Sequence, residues 1–220
     1  MLFRYFLISV FIYCVAGCSE PSMSRIENTD KSENLVVLET SVGTMTLKLD
    51  TVRAPKTSAY FLSIVDAGLY NGATFYRSAS LDEHPEVQLI QGGILVNALT
   101  QTGPISASQF DMPVLQDIES TDQTGIRHQR GILSFARDLL DTGVVIPELV
   151  IYLRDASWAD QGVRTVPDDR GFPAFGTIIG GMDVVEVIAQ QDTEGATSID
   201  FLRGQILTHP IVIERAYRAP

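Results

Sequence analysis

The sequence predicts a single, mainly β domain: a closed barrel of short strands capped by two α-helices. Three observations lead there. From Leu35 onward most apolar runs are short and β-like. Only two segments carry helical spacing. The two cysteines of the 220-residue chain, Cys14 and Cys18, both lie near its start. The chain beyond them must therefore be held by a hydrophobic core and not by disulfides. Roughly 200 residues suffice for one such core. Many strands with few helices fit a sheet closed on itself.

Leu35 to Thr40 and Met45 to Leu49 are β-rich, with Ser41-Val42-Gly43 as a hairpin connection. Met45, Leu47 and Leu49 share one face, and Thr46 and Lys48 the other. Pro55 suits the first turn of a helix. Phe61, Ile64 and Val65 come next at helical spacing, and Gly68 stops it. Further strands are predicted at residues 74–77, 87–90, 131–136, 149–153, 175–179 and 211–213. A second helix runs from Met182 to about Gln190, with Val184, Val185 and Ile188 on one face and Asp183 at its positive end. Residues 94–130 read mostly as loop.

The amino terminus is a targeting segment. Met1 to Arg4 is short and basic, and Tyr5 to Val15 is an apolar run too short for the ~20 residues that a bilayer span needs. Val15-Ala16-Gly17-Cys18 resembles a bacterial lipobox. That resemblance implies cleavage after residue 17, a lipid on the Cys18 thiol and, with Ser19 next, outer-membrane sorting. An ordinary secretory signal that happens to contain Cys18 is the alternative. Residues 18–34 are polar and read as a flexible tether to a domain over 35–220. The formal charge is −11, and losing Arg4 with the leader makes it more negative. Such acidity repels phosphate backbones, so nucleic acid is not an expected partner.

Two short motifs carry the chemistry. Phe75-Tyr76-Arg77 ends an apparent strand in an arginine, and Gln91-Gly92-Gly93 puts a glutamine beside two glycines. Ala54-Pro55-Lys56-Thr57, Gly68-Leu69-Tyr70-Asn71-Gly72, Gly125-Ile126-Arg127-His128, Ser134-Phe135-Ala136-Arg137, Asp155-Ala156-Ser157-Trp158 and Phe175-Gly176-Thr177-Ile178 lie around them. Together and in this order they resemble the cyclophilins, the peptidyl-prolyl cis/trans isomerases, in their Gram-negative branch. Tyrosine stands at 76 where that family has histidine. The resemblance covers most of residues 35–217. It implies a closed eight-stranded antiparallel β-barrel with two α-helices, acting as a monomer without cofactor or metal on proline-containing polypeptides. With the leader it implies a lipid-anchored protein of the bacterial envelope, facing the periplasm.

Carried over position by position, the resemblance implies catalytic roles for Arg77 and Gln91. Arg77 would donate to the prolyl nitrogen, and Gln91 would bind substrate backbone and orient Arg77. The slot for the proline ring would be built by Phe75, Leu89, Val150, Ala159 and Phe172, with Glu148 and Trp158 beside it. Glu148 is expected to accept from Arg77 or Gln91. The family more often has methionine, phenylalanine, leucine and histidine at 89, 150, 159 and 172, and a further phenylalanine where Gln88 stands, so two aromatic walls are lost here. Two insertions, Ser78 to Glu86 and Gln161 to Gly171, are expected as loops flanking the groove. His84, His128 and His209 lack metal-ligand spacing. Retained Arg77 and Gln91 favour an isomerase for exported proteins, and the thinned slot favours a proline-binding module with little catalysis. A structural envelope protein without a ligand is the third reading.

Overall fold

The computed structural model describes residues 34–81, 84–95, 112–138, 142–163 and 168–220, with residues 81 and 84–87 described by backbone alone. The expected leader, the lipidated Cys18 and the tether up to residue 33 lie outside the described residues.

Eight antiparallel strands close into a barrel. They are β1 (Leu35–Thr40), β2 (Gly43–Leu49), β3 (Thr74–Leu81), β4 (His84–Gly93), β5 (Ile132–Arg137), β6 (Val145–Tyr152), β7 (Ala174–Gly180) and β8 (Ile206–Arg218). Their order around the barrel is β1-β2-β7-β5-β6-β4-β3-β8, and β8 pairs back onto β1. The α-helices among the described residues are α1 (Pro55–Asp66), the short α2 (Thr121–Thr124) and α3 (Met182–Ala189). Each predicted strand is present, but β3, β4, β6 and β8 run three or more residues longer. The expected loop at 78–86 is largely a hairpin: Ser78 pairs with Ile90, Ala79 with Leu89 and Ser80 with Gln88. Small and polar side chains there hid the strand, because ladder hydrogen bonds need only backbone. The second insertion is anchored at its far end, where Arg137 grips Asp168 through two 2.9 Å hydrogen bonds.

Alternation fills the interior. Met45, Leu47 and Leu49 of β2 point inward at 2% exposure or less. Phe135 stacks on Phe175 at 4.7 Å, and Phe61 of α1 packs on both. Ala54 offers α1 no side-chain cap. Glu119 supplies it instead, accepting from the backbone N–H groups of Lys56 and Thr57 at 3.1 and 2.9 Å. α3 lies against β2, β3 and β4, with Ser78 donating to the terminal carbonyl of Ala189 at 2.8 Å.

One irregularity matters most. Phe75 pairs with Gly92, but Arg77 pairs with Gln91, so Tyr76 is an extra residue in β3. This β-bulge reverses the alternation. Phe75 points into the core at 0% exposure, and Arg77, two residues on, joins the outer face with Ala79. The strands approach closely here. A Cβ at position 92 would lie 2.7 Å from both the Phe75 ring and the Thr74 carbonyl. Gly92→Ala is therefore expected to lower stability by ~1–3 kcal/mol, read as a shift of the urea unfolding midpoint at unchanged slope.

Candidate active site

On the outer face, the register aligns Arg77 of β3, Gln91 of β4, Val150 of β6 and Ser134 of β5 across neighbouring strands. The next row holds Ala79, Leu89 and Tyr152. The chain after β6 folds back over both rows through a 3-10 turn, Ser157–Ala159. Leu89, Val150, Tyr152, Ala156, Trp158 and Ala159 bury one another there, with Phe172 packed against them. Trp158 meets Tyr152 and Phe172 edge to face at 6.4 and 5.9 Å. His128 ties this cover to the barrel, its ring nitrogens lying 2.7 Å from Asp160 Oδ1 and 3.1 Å from Ser134 Oγ.

Of the expected slot residues, Leu89, Val150, Trp158, Ala159 and Phe172 thus come together. Phe75 does not, because the bulge turns it into the barrel core. Glu148 does not line the slot either: its side chain is fully buried. It fills the space left by Gly93, where a Cβ would run into the Glu148 carboxylate and the Pro147 carbonyl. Nor does it meet Arg77 or Gln91. It accepts from the Tyr76 hydroxyl at 2.7 Å and from the Leu95 backbone N–H at 2.8 Å.

Arg77 is half-buried and clamped between two side-chain carbonyls. Its Nη1 donates to Gln91 Oε1 at 2.8 Å, and its Nε and Nη2 donate to Gln205 Oε1 at 2.9 and 2.6 Å. Three of the guanidinium's five N–H donors are used, leaving one on each terminal nitrogen without an acceptor among the described residues. No carboxylate pairs with it among them. Both amides are turned by bonds behind them: Gln91 Nε2 donates to the Tyr76 oxygen at 2.8 Å, and Gln205 Nε2 to the Phe201 carbonyl at 2.9 Å. Burial pulls the Arg77 pKa below its usual value, partly offset by Tyr76 and Tyr152.

Sequence reasoning missed Gln205, Tyr152 and the His128–Asp160 pair. Tyr152 was within reach, since it lies two residues beyond Val150 and shares its face. Gln205 carries no sequence signal. It reaches Arg77 because its backbone carbonyl accepts from Ser78 N–H at 2.9 Å.

Burial pushes the Glu148 carboxyl up to about 7, against the lowering effect of hydrogen bonds from Tyr76, Leu95 and Ile94. The Tyr76 phenol is raised well above its usual value by burial first and then by Glu148.

The family described as cyclophilin type peptidyl-prolyl cis-trans isomerase/CLD matches residues 35–217. Peptidyl-prolyl cis-trans isomerase A of Dickeya dadantii is 27% identical over 181 residues, covering 82% of each chain. An isomerase named cyp18 from Streptomyces antibioticus is 25% identical, covering 82% of this chain and 96% of the relative. Among solved structures, a cyclophilin type isomerase of Cryptosporidium parvum superimposes with a TM-score of 0.60 at 17% identity, covering 84% of this chain and 99% of that one. The chain belongs to the cyclophilin-type peptidyl-prolyl cis-trans isomerases, isomerases that bind proline-containing peptides.

The Glu148 shift predicts a pH dependence of stability. With its pKa about 7 when folded and 4.5 ordinarily, the folded state keeps a proton that the unfolded chain has lost. Stability therefore falls as pH rises through that window, by roughly 3 kcal/mol from this group. Urea unfolding at pH 5 and pH 8 should show this fall in the native chain and lose it in Glu148→Gln. Equal pH slopes in the two proteins would contradict it.

Proposed function

We propose that this chain accelerates rotation about X–Pro bonds in exported proteins, with Arg77 stabilising the twisted amide. Amide resonance sets a barrier of ~18–20 kcal/mol and makes uncatalysed exchange take tens to hundreds of seconds. No bond is made or broken, so catalysis requires only tighter binding of the twisted amide than of either planar form. As the C–N bond twists, the lone pair localises on the prolyl nitrogen and becomes a hydrogen-bond acceptor. A guanidinium N–H aimed at that nitrogen disfavours resonance.

The observation that carries this reading is the Arg77 clamp. The guanidinium lies on the outer face in register with Val150, is held in plane by Gln91 and Gln205, and keeps N–H donors in reserve. A carboxylate partner would have neutralised it, whereas amide carbonyls position it and leave its charge intact. Leu89, Val150, Trp158, Ala159 and Phe172 supply the apolar surface for the proline ring. Leu89, Val150, Trp158 and Ala159 are each exposed by no more than 8%. That closure favours a second reading, a module that binds proline segments and turns them over slowly.

Exchange of Xaa-Pro peptides followed by NMR separates the two. Arg77→Ala is expected to lower kcat/KM by ~10²–10³, the usual effect of removing one transition-state donor. Gln205→Ala should lower it by about tenfold at unchanged melting temperature, as expected for a lost positioning contact. Exchange no faster with protein than without it would exclude the isomerase, and peptide binding in that case would establish the module.

The proposed location is the bacterial envelope, with a lipid on Cys18 tethering the domain on the periplasmic side. Labelled palmitate should enter the native chain in a bacterial host and fail to enter Cys18→Ser. Equal labelling of both would contradict the anchor.

A further inference from the structure

A buried hydrogen-bond chain runs behind Arg77, and each link dictates the next. The Glu148 carboxylate can only accept. Its Oε1 takes the Leu95 N–H at 2.8 Å, and its Oε2 takes the Tyr76 hydroxyl proton at 2.7 Å. The phenol has then spent its single proton, so its oxygen accepts from Gln91 Nε2 at 2.8 Å. That leaves Gln91 Oε1 as the atom facing Arg77 Nη1, also at 2.8 Å. Tyr76 and Glu148 are fully buried and Gln91 is 7% exposed. Solvent therefore cannot replace a missing link from the side.

We propose that Tyr76 and Glu148 are positioning residues that set the direction of this chain, so that Gln91 turns its carbonyl and not its amide nitrogen toward Arg77. The inference rests on the reading that Arg77 acts on the X–Pro bond. The two residues belong together chemically. A glutamine at 148 has one acceptor oxygen for the Tyr76 hydroxyl and the Leu95 and Ile94 backbone N–H groups. If that oxygen meets Leu95, its NH₂ faces Tyr76, the phenol turns to Gln91, and Gln91 presents NH₂ to the guanidinium. If it meets Tyr76 instead, two N–H groups oppose each other at Leu95. Only a carboxylate accepts on both sides.

Protonating Glu148 has the same consequence. Oε1 is taken by backbone, so the proton settles on Oε2 and reverses the chain at Tyr76. The titratable groups that interact with this carboxyl are Tyr76 of β3, Tyr60 of α1 and Tyr70 in the turn after α1. Burial and the Glu148 charge raise Tyr60 and Tyr70, so neither titrates near neutrality.

The test is kcat/KM for an Xaa-Pro peptide from pH 5.5 to 8.5, using the full chain. The native protein should lose about tenfold in kcat/KM on the acid side, with a midpoint near 7. Glu148→Gln should sit at the low level throughout. Tyr76→Phe, Glu148→Gln and the double variant should lose similar amounts, because links of one chain are not additive. An acid limb that persists in Glu148→Gln, or additive losses, would overturn the proposal. A readout independent of turnover is the side-chain NMR signal of Gln91 NH₂ and Arg77 Nε–H. Both should titrate together in the native protein and stay still in Glu148→Gln. Native protein inactive at every pH would refute the isomerase reading alone, since the Gln91 titration still decides the direction of the chain.

Discussion

Everything distinctive about the site depends on one extra residue in β3. Without the bulge at Tyr76, strict alternation would put Phe75 and Arg77 on the same face. One of them would then be misplaced: a guanidinium inside an aromatic core, or a phenylalanine outside it. The bulge resolves the conflict by letting Phe75 pack inward while Arg77 turns out beside Gln91. It also frees the Tyr76 side chain to run between them and reach Glu148. The glycines opposite are the counterpart of that choice. Gly92 makes room for the Phe75 ring, and Gly93 makes room for the Glu148 carboxylate.

The electrostatic design is unusual for a half-buried arginine. Buried cations are generally paired with carboxylates, because an unpaired charge is costly to desolvate. Arg77 is instead held by two neutral carbonyls, each oriented from behind. In the proposed mechanism this is an advantage, since a guanidinium not neutralised by a carboxylate retains its pull on a developing lone pair. The nearby carboxylate is kept one residue away, behind Tyr76. Its own charge is disfavoured by burial.

The apolar side of the site is supported just as firmly. The Trp158–Ala159 turn is tied to the barrel through His128, Asp160 and Ser134. The returning chain is tied through Arg137 to Asp168 and to the Gly171 carbonyl. These bonds hold the cover over Val150 and Tyr152 without large aromatic side chains at positions 150 and 159. In the proposed mechanism this lining supplies the apolar surface and the polar clamp acts on the twisting bond.

Sequence alone was enough for the barrel, because apolar alternation and glycine placement are local properties of each strand. Motif order also foresaw that Arg77 and Gln91 would be neighbours and that Leu89, Val150, Trp158, Ala159 and Phe172 would cluster. Sequence overextended a loop at 78–86, because pairing between backbones leaves little trace in polar side chains. Phe75 was placed on the slot because position along a strand does not reveal a bulge, and Glu148 because it does not reveal that the Tyr76 hydroxyl and the Leu95 N–H claim its carboxylate. Gln205 could not be found at all, since it lies 128 residues from Arg77 and reaches it only through the β3–β8 pairing. The same holds for Glu119 at the start of α1 and for Asp160 beside His128. Local pattern decides which residues form strands and helices. Register, bulges and long-range hydrogen bonds decide which face each side chain takes, and these exist only once the barrel has closed.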